Sequence, residues 1–214
     1  MLKVYYANIS DIDPEADQEL FSAYRKERLK TTKPLLSRRQ GIGVELLLYE
    51  AVHRNWPVQR LPLTIETDEK GKPFCRALPG HFSLSHSGDY AVCAVSSQPL
   101  GVDIQKKVHY RADLPERCFS SDEREQLFKA ADRDDEFIRI WALKESFVKA
   151  MGCGLSVPLN TFSALTAARE IGAGFWHAEI GEYRLSVCVC GTSVLHPDEF
   201  EEIHLKLHAK EESA

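Results

Sequence analysis

The chain has 214 residues, enough for one large domain or two small ones, each burying a modest core. Its 27 Lys and Arg against 32 Asp and Glu leave a net charge of −5, which argues against generic binding to nucleic acid or to an anionic membrane surface, so any basic site must be local. The amino terminus turns polar too soon for a signal peptide, and no apolar run approaches the roughly 18 to 20 residues that span a bilayer; a soluble cytoplasmic protein is the expectation.

LKVYYANI alternates like a strand. DIDPEADQELFSAYRKERLK follows with early acids, apolar residues at helical spacing and a basic end, which predicts a helix over 11–30. Ser37 is placed to cap a second helix, RRQGIGVELLLYEAVHRNW, in which Gly41 and Gly43 permit close backbone approach and which Pro57 ends. From Leu61 to Gln105 the chain is rich in Gly, Pro and β-branched residues and reads as a turn flanked by short strands. Within it, HFSLSHSGDYAVCAV is a hairpin closed at Ser87-Gly88-Asp89. Beyond Arg111 the pattern is helical again: Ser120 and Glu123 form a capping box, and DEFIRIWALKESFVKAMG is a longer helix stopped by Gly152 and Gly154. FWHAEIGEYRLSVCVC forms a second hairpin. Each half thus runs helices first and then an antiparallel hairpin, which predicts an α+β fold of two similar subdomains in pseudo-twofold arrangement, 1–98 and 99–205, although the halves share no alignable repeat. The tail, 206–214, is expected to fray. Cys75, Cys93, Cys118, Cys153, Cys188 and Cys190 form no CxxC pair and mostly sit in apolar contexts, as reduced core thiols do, which disfavours zinc or a disulfide framework.

WALKESFVK, Trp141 to Lys149, carries charge where a helix asks for core. At about 100° per residue, Ile140, Leu143, Phe147, Ala150 and Met151 make one apolar stripe and Lys144 points into it, while Glu145 and Lys149 lie one turn apart at its margin. Taken alone, Glu145 and Lys149 are an ordinary i, i+4 pair and Lys144 a snorkelling side chain. GVDIQ adds Asp103 between Val102 and Ile104, alternating away from its apolar neighbours. Alone it is a strand-end acid in water; beside Glu145 and the lysines it suits a Mg²⁺ held by one or two acids and substrate phosphates. SLSHSG offers a phosphate the hydroxyl of Ser85, the imidazole of His86 and the close backbone of Gly88, or else is simply a polar hairpin turn.

Together GKPFC, HFSLSHSG, GVDIQ and WALKESFVK with its continuation GCGLSVPLNTFS resemble the 4′-phosphopantetheinyl transferases of the long, Sfp-type class, in order and spacing from Gly71 to Ser163. That family carries G-[IV]-D-[IV]-E and W-x-x-K-E-[AS]-x-x-K elements. The resemblance implies a pseudodimeric α+β enzyme, expected to be a monomer, with its active site between the halves. It implies transfer of phosphopantetheine from coenzyme A to a serine of an acyl or peptidyl carrier protein, with Mg²⁺ as cofactor and 3′,5′-ADP as leaving product. By the same resemblance Asp103 and Glu145 are Mg²⁺ ligands, Glu145 is also the group that takes the serine proton, and Lys149 is the cation on the pyrophosphate.

Ser85 and His86 match residues that the family uses on the coenzyme A nucleotide and phosphates, Lys72 one beside the adenine, Arg39 a basic residue of the helix before, and Arg25 and Arg28, loosely, its first-helix cations. Gln105 stands where many members place a second acid, and is expected to be a weaker or water-mediated metal ligand. Lys144 matches a motif lysine without an assigned role, and its semi-buried place calls for a partner such as a carboxylate. KKVHYRADLPERCFS is a candidate carrier-docking segment or else an ordinary exposed connection. A module that holds coenzyme A or a carrier without turnover is the alternative; a nucleic-acid partner has little in its favour because the basic residues are not massed.

Overall fold

The computed structural model describes residues 1–15, 18–57, 61–154, 157–192 and 195–205. The tail expected to fray, 206–214, lies outside them, as do Leu155 and Ser156 of the motif continuation. β1 (Leu2–Asn8) opens the chain. The helix expected over 11–30 is shorter: after a single 3₁₀ turn, α1 runs Ala23–Thr31. Two things displace its start. The Oδ1 atoms of Asn8 and Asp13 accept the N–H groups of Ser10 and Glu15, both at 2.9 Å, turns that compete with helix; and the capping hydroxyl is that of Ser22, which accepts the Arg25 N–H at 3.1 Å.

α2 (Leu35–Asn55) also starts before the expected Ser37, because Pro34, with φ of −63°, sets its entry; Ser37 lies in the first turn and caps nothing. Gly43 meets Ile9 and Gly41 lies under the Arg25 guanidinium, the close approaches those glycines permit. β2 (Glu66–Thr67) and β3 (Pro73–Phe74) form the short hairpin. β4 (His81–Ser87), β5 (Tyr90–Ser96) and β6 (Leu100–Lys106) follow. Next come α3 (Leu114–Cys118), α4 (Ser121–Lys129) with the expected capping box, and α5 (Arg133–Met151), which Gly152 ends in the left-handed region at φ 63°. α6 (Ala164–Glu170), the hairpin β7 (Gly174–Ile180) and β8 (Tyr183–Val189), and β9 (Glu199–Glu202) complete the α+β fold. None of the six cysteines is joined in a disulfide, and no described helix is long and apolar enough to cross a membrane.

The strands form one sheet of order β4-β5-β1-β9, another of order β6-β8-β7, and the small β2-β3 pair. Setting β9 aside, the two larger sheets share one wiring: an opening strand, β1 or β6, then helices, then a hairpin whose second strand pairs antiparallel with the opening strand. The long helix of each half covers one sheet face, α2 over Tyr5, Cys93 and Val95 and α5 over Cys188. β9 pairs in parallel with β1, so the last described strand joins the first sheet, although a division at 98/99 groups it with the second half.

The remaining two faces share a core, Val4, Val92 and Ala94 packing with Val102, Ile104 and Val187. On one side Trp176 of β7 meets Phe200 of β9 edge-on, ring centroids 4.9 Å apart. On the other side edge strands β4 and β6 meet through hydroxyls. Val102, Ile104 and Lys106 donate their backbone N–H to Ser83, Ser85 and Ser87 Oγ at 3.0, 3.3 and 3.0 Å. Strand alternation in SLSHS puts all three serines on that edge, where they satisfy donors that a buried strand edge otherwise leaves unpaired.

Candidate active site

The serine seam positions the first acid. Asp103 lies on the face of β6 that turns from the shared core toward α5 and is 2% exposed. Its Oδ1 accepts from Ser85 Oγ at 2.7 Å and Lys149 Nζ at 2.6 Å, and its Oδ2 accepts from Gln105 Nε2 at 2.8 Å. Lys149 also donates to the Val102 carbonyl at 3.0 Å. α5 reaches β6 this closely because of Gly101, where a Cβ would overlap the Ser146 carbonyl oxygen and the Ala150 nitrogen. The fold thus brings Asp103, Gln105, Lys149 and Ser85 to one place, with Glu145 near enough for the Asp103 and Lys149 charges to act on it.

Glu145 is half-buried and differs from Asp103 in having no hydrogen bond or ion pair among the described residues. Burial first, then the Asp103 charge, pushes its pKa up, with Lys149 opposing. That environment suits a proton acceptor near neutral pH better than a fully solvated glutamate would.

His86 lies on the other face of β4 from the serines, its side chain still open to solvent. Desolvation by the surrounding protein, then Lys149 and Arg25, with a smaller push from Arg28 and against the pull of Asp103, takes its pKa down to about 4. The imidazole is therefore neutral at pH 7, in a setting with excess positive charge, where an anion is favoured. Arg25 is held by Glu45, Nε to Oε2 at 3.2 Å, at 8% exposure, while Arg28 is exposed; both guanidiniums lie over the Tyr24 ring, at 5.7 and 5.6 Å.

Two expected cations are otherwise engaged. Lys72 donates to the carbonyls of Leu100 and Lys149 at 2.9 and 2.6 Å, fastening the β2–β3 hairpin to the start of β6 and the end of α5. Burial lowers its pKa. It borders a cavity of about 460 Å³ that includes Pro73, Phe74, His81, Met151 and Gly152, open enough for a flat heterocycle. Arg39 donates its Nε to the Ile12 carbonyl at 3.1 Å, in the loop before α1.

Lys144 has the carboxylate partner its burial calls for. At 1% exposure it donates to Glu123 Oε2 and to the Phe162 carbonyl, each at 2.6 Å, and lies 4.3 Å from the Phe162 ring centroid. It faces away from the acids and braces α5 from behind. Glu123 and Glu45 are the site-supporting residues the sequence reading did not single out. Glu123 showed only its local role in the capping box, and Glu45 sat unremarked in an apolar helical run, where a lone acid is itself a signal of a buried partner.

Among the described residues no group of three or more His, Cys, Asp or Glu side chains could hold a metal ion. A protein-only cage is thus not built here, but the donors suit Mg²⁺, which takes one or two carboxylates and completes its shell with water and phosphate oxygens. Glu145 has a free carboxylate near Asp103, and the Lys149 ammonium already occupies the cation position on Asp103.

Comparison with known proteins identifies the family of the chain. Residues 99–190 match the family model of the 4′-phosphopantetheinyl transferase superfamily. A 4′-phosphopantetheinyl transferase of Bacillus subtilis is 35% identical over 178 residues, 77% of this chain and 77% of that protein. The transferase Sfp of Bacillus subtilis strain 168 is 36% identical over 159 residues, which are 72% of this chain and 66%, just under two thirds, of that protein. The human L-aminoadipate-semialdehyde dehydrogenase-phosphopantetheinyl transferase is 36% identical over 134 residues, 55% of this chain and 42% of that one. The carboxylates, the lysine and the seam that joins them thus stand in a chain that belongs to the 4′-phosphopantetheinyl transferase superfamily of enzymes, and within it to the Sfp type.

Proposed function

We propose that the chain transfers 4′-phosphopantetheine from coenzyme A to a serine hydroxyl of an acyl or peptidyl carrier protein, releasing 3′,5′-ADP in a Mg²⁺-dependent reaction. The observation that carries this is the pairing, across the seam, of a fully held acid, Asp103, with an unpaired acid of raised pKa, Glu145, one helical turn from Lys149.

Asp103 and Glu145 would hold the metal, with Gln105 as a weaker or water-mediated ligand. Bound there, Mg²⁺ would neutralise pyrophosphate charge. Glu145 takes the proton of the carrier serine as its oxygen bonds to phosphorus and the pyrophosphate bridge breaks. Lys149, whose ammonium sits beside Asp103, would stabilise the charge gathering on the departing 3′,5′-ADP, the kind of positioned cation on which phosphoryl transfer depends. Arg25, Arg28 and His86 would line the phosphate side, with Arg39 and Ser85 assigned there by resemblance although the Ser85 hydroxyl is held by Asp103 on the other face of β4, and the cavity beside Lys72 would take the adenine.

The reading includes two duplicated halves, 1–98 and 99–205 in pseudo-twofold relation, supported by the shared wiring of their sheets. Since both sides of the site come from one chain, a cytoplasmic monomer suffices. The carrier would dock on the segment 106–120, where Val108 is 53% exposed. Lys107, His109, Arg111 and Arg117 there are paired with Asp132, Asp134 and Asp113, surface pairs that an acidic partner can exchange at small cost.

Incubation with coenzyme A, Mg²⁺ and several apo carrier proteins, followed by weighing the carriers, tests the reading. A phosphopantetheine mass gain on at least one is expected. No gain on any, with a known transferase active in parallel, would favour a module that binds coenzyme A without turnover.

A further inference from the structure

Glu145 and Lys149 face the seam, but what aims them lies behind α5. Lys144 and Glu145 are consecutive on one helix, so their directions differ by a fixed angle of about 100°. Whatever fixes Lys144 therefore fixes Glu145, and Lys149 one turn further on. Glu123, itself 6% exposed, is that anchor. Its Oε2 accepts from Lys144 Nζ at 2.6 Å and from the Ser120 N–H at 2.9 Å, and its Oε1 accepts from the Ala164 N–H at 3.0 Å. One carboxylate thus ties the start of α4, the first residue of α6 and the middle of α5. Burying an ammonium and a carboxylate together costs desolvation that an apolar pair of the same volume avoids. A charged anchor therefore has its advantage in direction rather than in stability.

We propose that Glu123 is a positioning residue for the transfer: by gripping Lys144 it sets the rotation and depth of α5, and so the aim of Glu145 and Lys149 at Asp103. The proposal rests on the transferase reading. Glu123 touches no reacting atom, and the phosphate-side cations Arg25 and Arg28 lie in the other half of the molecule, so its loss acts on turnover and leaves coenzyme A binding largely intact. A displacement of about 1 Å at a reacting group can lower a rate on the order of 10²-fold.

The experiment compares the full chain with Glu123→Gln, Lys144→Met and the double variant, using coenzyme A, Mg²⁺ and an apo carrier protein, with thermal unfolding followed in parallel. Each single variant is expected to lower kcat tenfold or more, by roughly the lower part of that positional range, while KM for coenzyme A stays within about threefold. The double variant buries no unpaired charge, so its unfolding midpoint should return near that of the parent while kcat stays low; it also decides the matter if either single variant does not fold. Recovery of kcat together with stability in the double variant would show the pair to be only a fold brace and would overturn the proposal. So would a Glu123→Gln protein within twofold of the parent. A parent that modifies no carrier would instead remove the transferase reading, and this proposal with it.

Discussion

The two halves lock their helices with the same device and exchange its charges. In the first, Ser22 caps α1, and Arg25, three residues on, pairs with Glu45 of α2. In the second, Ser120 caps α4, and Glu123, three residues on, pairs with Lys144 of α5. In both, the carboxylate also accepts the N–H of the capping serine, Glu45 Oε1 at 2.5 Å and Glu123 Oε2 at 2.9 Å. The cations differ in where they face. Arg25 lies close enough to His86 to help depress its pKa, and a guanidinium can keep one partner while its other donors address a phosphate. The compact Lys144 ammonium is committed to Glu123 and a carbonyl. On the proposed reading, one packing device would thus serve ligand charge in one half and helix aim in the other.

The largest effect should come from the acid between the halves. Asp103→Ala removes the acceptor of Ser85, Lys149 and Gln105 at once and is expected to lower carrier modification by roughly 10²- to 10³-fold. Comparable Mg²⁺-dependent rates for the variant and the parent would remove Asp103 from the metal site. Next comes the first-half lock. Glu45→Gln leaves Arg25 buried without its counter-charge, which should cost on the order of 3 to 5 kcal/mol in denaturant unfolding. It should also raise KM for coenzyme A several-fold with kcat per bound complex nearly unchanged, the reverse of what Glu123→Gln does. A fall in kcat at unchanged KM would mean that both locks do the same job.

That reversal could not be read from the sequence, for a reason of distance along the chain. Helical periodicity sets Glu145 and Lys149 on one margin and strand alternation turns Asp103 from its apolar neighbours, so this much of the candidate site in GVDIQ and WALKESFVK was legible. The groups that complete it are remote: Ser85 is 18 residues from Asp103, Lys149 is 46 from it, and Glu123 is 21 from Lys144. Short-period patterning is blind to such pairs. The capping box revealed Glu123 to its own helix and not to α5. The first helix was placed too early because Asp13, an acid of the kind that favours a helix start, forms an Asx turn here instead. β9 escaped notice for a related reason: four residues, EFEE, returning in parallel to β1, carry no local mark of their partner.

The smaller effects concern the margins of the site. His86 has a folded pKa of about 4 against an ordinary value of 6.5, so between these values the unfolded chain binds a proton that the folded one excludes. Stability should therefore be full above about pH 6.5 and decline as pH falls toward 4. His86→Asn should flatten that slope in pH-dependent unfolding; an unchanged slope would place its cause elsewhere. Gln105→Glu should change least. Its Nε2 now donates to Asp103 Oδ2, and a carboxylate there loses that hydrogen bond and adds repulsion, but in the presence of Mg²⁺ it gains a hard oxygen ligand of the kind the cation prefers. The two effects oppose, so transfer should remain within about threefold of the parent at saturating Mg²⁺. Because only the favourable one needs the metal, the variant should fall behind as Mg²⁺ is lowered, and an unaltered Mg²⁺ dependence would put residue 105 outside the metal's reach.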